Sequence, residues 1–436
     1  MSFSDEPIGV DSSGILGICS LSNNSYEMTK LTDKTDKTSM FDNLIGVKFV
    51  DAHSTNSDVV LLDNSGKVWS VSNGYTSASA SRQYPFICLN DIENHSFNGL
   101  RINKVVTPYA QNGTTISSGF WTIDENGKVW HVYNDVVECI SNGTSIENIE
   151  IVDLDVGYSG YIVMVDVNGN AWSMGYNGEG QCGIDTANNT GNVISNITCL
   201  NIGSNLEGVK IKNVVTGANF TMFIDYDNQL WVCGSNSYGQ LGIGETQNST
   251  WNPICLTTTE NNPLYGVKVT EISAENNAAG VIDLQGRLWT WGDGAYAIGT
   301  GDIDKSYVPV CISEYGNNEL NGIKLKSISI ANYKGSALDE EGNIWVWGEE
   351  YKIPNGNQSN ENSKIPTKLT LPVNSYFTLR NKFTKIAISS YFGVAIDEKG
   401  KLWCWGNNAK YVYGNGQHYT KISTQPICLS ENYRFN

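Results

Sequence analysis

The sequence predicts an all-β protein: a seven-bladed β-propeller of four-stranded antiparallel blades. Three observations carry this. The skeleton Asp-x-x-Gly-x-x-Trp occurs at Asp63/Gly66/Trp69, Asp124/Gly127/Trp130, Asp166/Gly169/Trp172, Asp283/Gly286/Trp289, Asp339/Gly342/Trp345 and Asp397/Gly400/Trp403, and once more as Asp225/Asn228/Trp231. The tryptophans are separated by 61, 42, 59, 58, 56 and 58 residues. That period suits four short strands with their turns and is too long for a helix pair of the usual solenoid repeats. A second signature, Pro-x-Cys-Leu or a relative of it, closes most units, as in Pro253/Cys255, Pro309/Cys311 and Pro426/Cys428. Sheets of four strands cannot bury both faces alone, so radial stacking supplies the core.

Each unit reads in the same order. In the fourth, an apolar β-rich run (209–215) precedes a small-residue loop and a short apolar strand at 221–224. The Asp225 turn then reverses the chain into the Trp231 strand. In this turn the Asp side chain caps the backbone and the Gly, or Asn228, takes positive φ. A Gly-rich loop, Gly239-Gln240-Leu241-Gly242, leads to the last strand. The expected division is an N-terminal segment, 1–22, and blades at 23–90, 91–141, 142–201, 202–257, 258–313, 314–371 and 372–436. Residues 17–21, with Cys19, resemble a spare final strand that packs on an edge or stays apart.

Composition narrows the function. The formal charge is −17. Nucleic-acid affinity comes largely from Lys and Arg replacing counterions, so no nucleic-acid partner is expected. Anionic membrane surfaces are disfavoured for the same reason. No run approaches the length of a membrane span, so no membrane insertion is expected. The N-terminus lacks a signal-peptide pattern. A cytoplasmic protein, or a virion component released by lysis, is the expectation. Cys88, Cys139, Cys199, Cys255, Cys311 and Cys428 fall at one position of successive blades, too far apart around a ring to bridge. They read as small buried hydrophobes in a reducing environment, with Lys368 at the equivalent place in the sixth unit.

No enzyme signature stands out. Gly178, Gly180 and Gly183 match GxGxxG, but in an inter-strand loop with no helix to follow, so no dinucleotide site is expected. The Asp turns lack a calcium loop's run of ligands. His53, His95, His131 and His418 recur in no motif. No cofactor, no metal and no catalytic residues are expected.

The pattern Trp-x-Trp-Gly-x-Asn-x-x-Gly-Gln-Leu-Gly, spread over Trp231–Gly242, Trp289–Gly292, Trp345–Gly348 and Trp403–Gly406, resembles the RCC1-type repeat (regulator of chromosome condensation). The resemblance implies a seven-bladed propeller acting as a protein-binding platform. Family members include an exchange factor for the small GTPase Ran and bacterial propellers that block enzymes. Where the family usually has His before the second strand, this chain has Phe220, Tyr161, Lys334 and Phe392. The acidic charge and the lack of a basic tail make nucleotide exchange a poor transfer. The Asn-rich, Lys-over-Arg composition looks like that of an AT-rich bacterium or its phage.

The loop between the first and second strands of each blade lies on one rim. It carries Tyr109, Tyr158, Tyr161, Phe220, Tyr333, Tyr391 and Phe392. Exposed tyrosines offer large contact area at small entropic cost. Two readings stand open: a binding rim, or rings folded between the blades, with Tyr109, Tyr158, Tyr333 and Tyr391 the outward ones. The expected function is non-enzymatic recognition of another protein or a surface glycan through one loop-rich face. A phage-tail or cell-surface adhesion module is one form. An intracellular inhibitor, scaffold or effector is the other.

Overall fold

The computed structural model describes residues 8–10, 16–22, 25–30 and, apart from loops of which 72–86, 349–362, 370–381 and 407–422 are the longest, residues 47–428. Seven four-stranded antiparallel sheets follow one another along the chain, at 49–88, 102–139, 151–199, 211–255, 269–311, 325–368 and 383–428. In the fourth the strands are Ile211–Thr216, Phe220–Asp225, Leu230–Ser235 and Ser249–Cys255, paired in sequence order. The first strands of neighbouring blades pack on each other and line a central channel, so the first strand is innermost.

The described N-terminal residues differ from the expected division. Ile8–Val10, Leu16–Ser22 and Ser25–Lys30 form a three-stranded sheet of their own. The Cys19 strand is its middle strand, paired on both sides. The boundary expected at residue 22 therefore falls inside a hairpin, and the segment runs to Lys30.

The ring closes without exchanging a strand. The carbonyl of the turn residue in each blade accepts a hydrogen bond from the first-strand amide of the next: Ile102 to Gly66, Ile151 to Gly127, Ile211 to Gly169, Val269 to Asn228, Leu325 to Gly286, Phe383 to Gly342. Phe49 N to Gly400 O, at 3.1 Å, joins the seventh blade to the first. The core lies between blades. Phe220, Met222, Leu230 and Val232 of the fourth pack against Val269, Val281 and Trp289 of the fifth, all buried. Each such side chain contributes roughly 1.5–3 kcal/mol on burial.

Candidate functional site

The site is built on the repeated turn. In every blade one carboxylate oxygen of the turn Asp accepts the backbone amide four residues on, as Gln229 N does to Asp225 at 2.8 Å. The other oxygen accepts the indole N–H of the Trp six residues on, at 2.8–3.1 Å in all seven blades. Positive φ falls on Gly66, Gly127, Gly169, Asn228, Gly286, Gly342 and Gly400, so Asn228 replaces Gly without changing the turn. Each Trp also faces the closing signature across the sheet: Trp69 opposite Cys88, Trp231 opposite Cys255, Trp345 opposite Lys368. Cys88 and Cys255 are buried, whereas Cys139, Cys199 and Cys311, at the same place on the outermost strand, are half-buried. All five are free thiols. Burial pushes the Cys88 and Cys311 thiols up to about 11.

These turns define one face of the disc, the turn face. The opposite loop face carries the connections between strands one and two and between strands three and four. There Gly178–Gly183 is the loop between Ala171–Tyr176 and Val193–Cys199, as its strand context requires. Gln181 Nε2 reaches Asn219 of the next blade and Gln240 Nε2 reaches Asn277, both at 3.4 Å, so adjacent loops brace each other.

The loop face holds some of the expected aromatics and not others. Tyr158 and Tyr333 are exposed, at 38% and 40%. Tyr333 sits at φ +63, a left-handed conformation rare for a bulky residue. Tyr161 and Phe220 are a correction: both are fully buried in the core. The Tyr161 hydroxyl donates to Phe220 O at 2.6 Å and its ring fills the space above Gly157. A Cβ at Gly157 would lie 1.9 Å from that ring, and one at Gly217 would lie 1.9 Å from Phe220. The glycines clear room for the rings to turn inward. Tyr109, Tyr391 and the side chain of Phe392 lie outside the described residues. Tyr238, 46% exposed, adds an aromatic on the loop between strands three and four. Lys305 Nζ stands 5.2 Å from its ring and 4.5 Å from that of Tyr307.

Between the faces runs the channel, a cavity of about 230 Å³ opening beside Tyr158 and Asn276. A β-bulge interrupts the first strand pair of each blade. The residue after it is Asp51, Lys104, Asp153, Asn213, Glu271, Ser327 or Lys385. Lys104 is paired with Asp153, which also accepts Val214 N at 3.0 Å. Asp155 accepts Thr216 N at 2.7 Å and its hydroxyl at 3.1 Å. Ser273 and Ser329 accept the amides of Ile330 and Ile388 in the same manner. Inner strands are thus tied side chain to backbone. Burial raises the Asp155 carboxyl despite Thr216 and Lys104. Burial alone would lower Lys104, but Asp153 outweighs it and holds the ammonium above its ordinary value.

Burial would likewise raise Asp51, yet His53 at 3.3 Å, Lys385 and Lys104 hold it at about 2, down from 3.8. A depressed folded-state pKa stabilises the fold above the unfolded value and is lost as pH falls through the folded one. On the order of 2 kcal/mol of stability should therefore disappear between about pH 4 and pH 2. Asp51→Asn should flatten that part of a stability-against-pH curve measured by urea unfolding. An unchanged acid limb would remove Asp51 from the account.

Sequence reasoning missed the channel network, because its members come from strands 49–61 residues apart. It also missed a recurrence of cations just before the first strands, on the turn face.

The fold and its braced loops define a seven-bladed β-propeller. Residues 211–240, 383–417 and 227–277 match the Regulator of chromosome condensation (RCC1) repeat. Similar proteins include the RCC1 domain-containing protein RUG3, mitochondrial, of Arabidopsis thaliana, 26% identical over 222 residues, 48% of this chain and 44% of that protein. The RCC1-like G exchanging factor-like protein of Mus musculus is 25% identical over 272 residues, 62% of this chain and 56% of that protein. The chain thus spans about half the length of these curated relatives. Among solved structures, human WBSCR16 superposes with TM-score 0.60 at 18% identity, covering 81% of this chain and 87% of that one. Prp20p of Saccharomyces cerevisiae, described with its binding properties to Gsp1p and histones, gives 0.60 at 16% identity, over 91% and 92%. These relatives are eukaryotic, so the bacterial or phage origin read from composition gains no support from them.

Proposed function

We propose that the chain is a non-catalytic recognition propeller that holds a protein partner on its loop face. One observation carries the reading: the non-identical strand connections lie on that face, with Tyr158 lining the channel and Tyr238 and Tyr333 also exposed. The turn face, by contrast, is built from near-identical turns. Tyr333 keeps a left-handed backbone where Gly would be unstrained, a cost of roughly 1–2 kcal/mol that a binding role accounts for. A protein suits the site better than a glycan, since Lys305 covers the ring faces of Tyr238 and Tyr307 that a sugar would stack on. Of the two forms expected from sequence, this favours an inhibitor, scaffold or effector over an adhesion module. The exchange activity in a relative's name is not carried over, because similarity at this level transfers the fold.

The test is cross-linking with mass spectrometry on cell lysate, wild type against Tyr158→Ala/Tyr238→Ala/Tyr333→Gly. A partner held by the wild type should drop at least about tenfold with the variant. The unfolding midpoint should stay or rise, since Tyr333→Gly removes strain. Equal retention by the two proteins would place the interface elsewhere.

A further inference from the structure

The residue preceding each first strand occupies one position around the turn face: Lys48, Arg101, Glu150, Lys210, Lys268, Lys324 and Lys382, all exposed. Its stem lies over the turn glycine of the preceding blade. A Cβ at Gly286 would lie 3.0 Å from Lys324 Cβ, and one at Gly342 would lie 2.8 Å from Lys382 Cβ. That packing asks for a long unbranched stem and is indifferent to charge, as Glu150 shows in the third blade. Yet six of the seven are cations, in a chain with 28 Lys and Arg against 45 Asp and Glu. Lys212 and Lys326, two residues further on, are also exposed. Among the described residues, none of Lys48, Arg101, Lys210, Lys212, Lys324 and Lys382 forms an ion pair. Lys268 Nζ donates to the Asp227 carbonyl.

The residue after each turn Asp lies beside this row. It is Asn64 in blade one, Glu125, Glu340 and Glu398 in blades two, six and seven, and Val167, Tyr226 and Leu284 in blades three to five. Tyr226 and Leu284 are 61% and 60% exposed. Over blades four to six, five lysines (210, 212, 268, 324, 326) therefore surround two exposed apolar side chains.

We propose that this arc docks an acidic, leucine- or phenylalanine-bearing segment of a partner protein. A duplex or a lipid surface presents uniform negative charge, which Asp227 and Glu340 at the border of the arc would repel. A protein segment sets carboxylates against the lysines and apolar groups against Tyr226 and Leu284. The arc lies opposite the loop face, so its test is independent of the tyrosine variants.

The probe is a fluorescein-labelled synthetic peptide of Glu and Asp with interspersed Leu, followed by anisotropy. The variant is Lys210→Gln/Lys268→Gln/Lys324→Gln, which keeps the stems. The wild type should bind, more weakly as salt rises from about 50 to about 300 mM. The triple variant should lose at least about tenfold in affinity with an unchanged unfolding midpoint. Leu284→Ser should lose a few-fold. No peptide binding, or equal binding by the variant, overturns the proposal. So does a lowered midpoint, which would assign the lysines to offsetting the buried turn carboxylates. Tighter binding of a duplex DNA or of phosphatidylserine vesicles, lost in the same variant, would reassign the arc to a polyanion.

Discussion

Asp225→Ala should lower the stability of the propeller by about 3–5 kcal/mol, read as a shift of the urea unfolding midpoint. The carboxylate accepts Asp227 N at 2.9 Å, Gln229 N at 2.8 Å and the Trp231 indole at 2.8 Å. Hydrogen bonds to a charged acceptor contribute about 1.5–3 kcal/mol each, and the buried donors left behind add their own desolvation cost. The same turn passes a hydrogen bond to Val269 of the next blade through the Asn228 carbonyl, so loosening it also weakens a blade junction. Asp225→Asn separates the two functions of the side chain. Its amide oxygen still accepts the two backbone amides, but its NH₂ then meets the indole N–H donor to donor. It should therefore cost part of the alanine loss rather than none. A loss below about 1 kcal/mol for Asp225→Ala would mean that inter-blade packing, not the turn, carries this region.

That turn was legible because its parts are local. Asp, Gly and Trp lie within six residues, and their spacing alone fixes who meets whom. The Trp–Cys pairing was not read from the two signatures, because a loop of variable length separates Trp231 from Cys255 and sets their register. Residues joined through the ring were not legible either. Nothing near Lys104 in sequence announces Asp153, which reaches it only because both follow a bulge on adjacent inner strands. The aromatics of the rim fell between these cases. Gly157 and Gly217 stand four and three residues before Tyr161 and Phe220, and a missing Cβ there is what lets each ring fold inward. Tyr158 and Tyr333, by contrast, stay exposed among small or polar loop neighbours.

Lys104→Met should be the most damaging change in the channel, at about 3–5 kcal/mol near neutral pH, because it leaves a carboxylate without its cation. Lys104 faces Asp153, Asp155 and Asp51 together. Of these, Asp51 retains His53 and Lys385, whereas Asp155 is already raised by burial and depends on Lys104 for part of its relief. Without the ammonium, Asp155, which burial already raises, should bind a proton more readily folded than unfolded. A folded state that binds more protons gains stability as pH falls. The deficit should accordingly shrink between about pH 7 and pH 5, where the unfolded chain is still ionised. Asp153→Ala should lack this recovery, since it leaves Lys104 beside Asp155 and orphans the Val214 amide, a loss indifferent to pH in that range. A Lys104→Met deficit that stays constant from pH 7 to pH 5 would show that the lysine acts through its packed stem, and that the channel carboxylates are held by backbone amides alone.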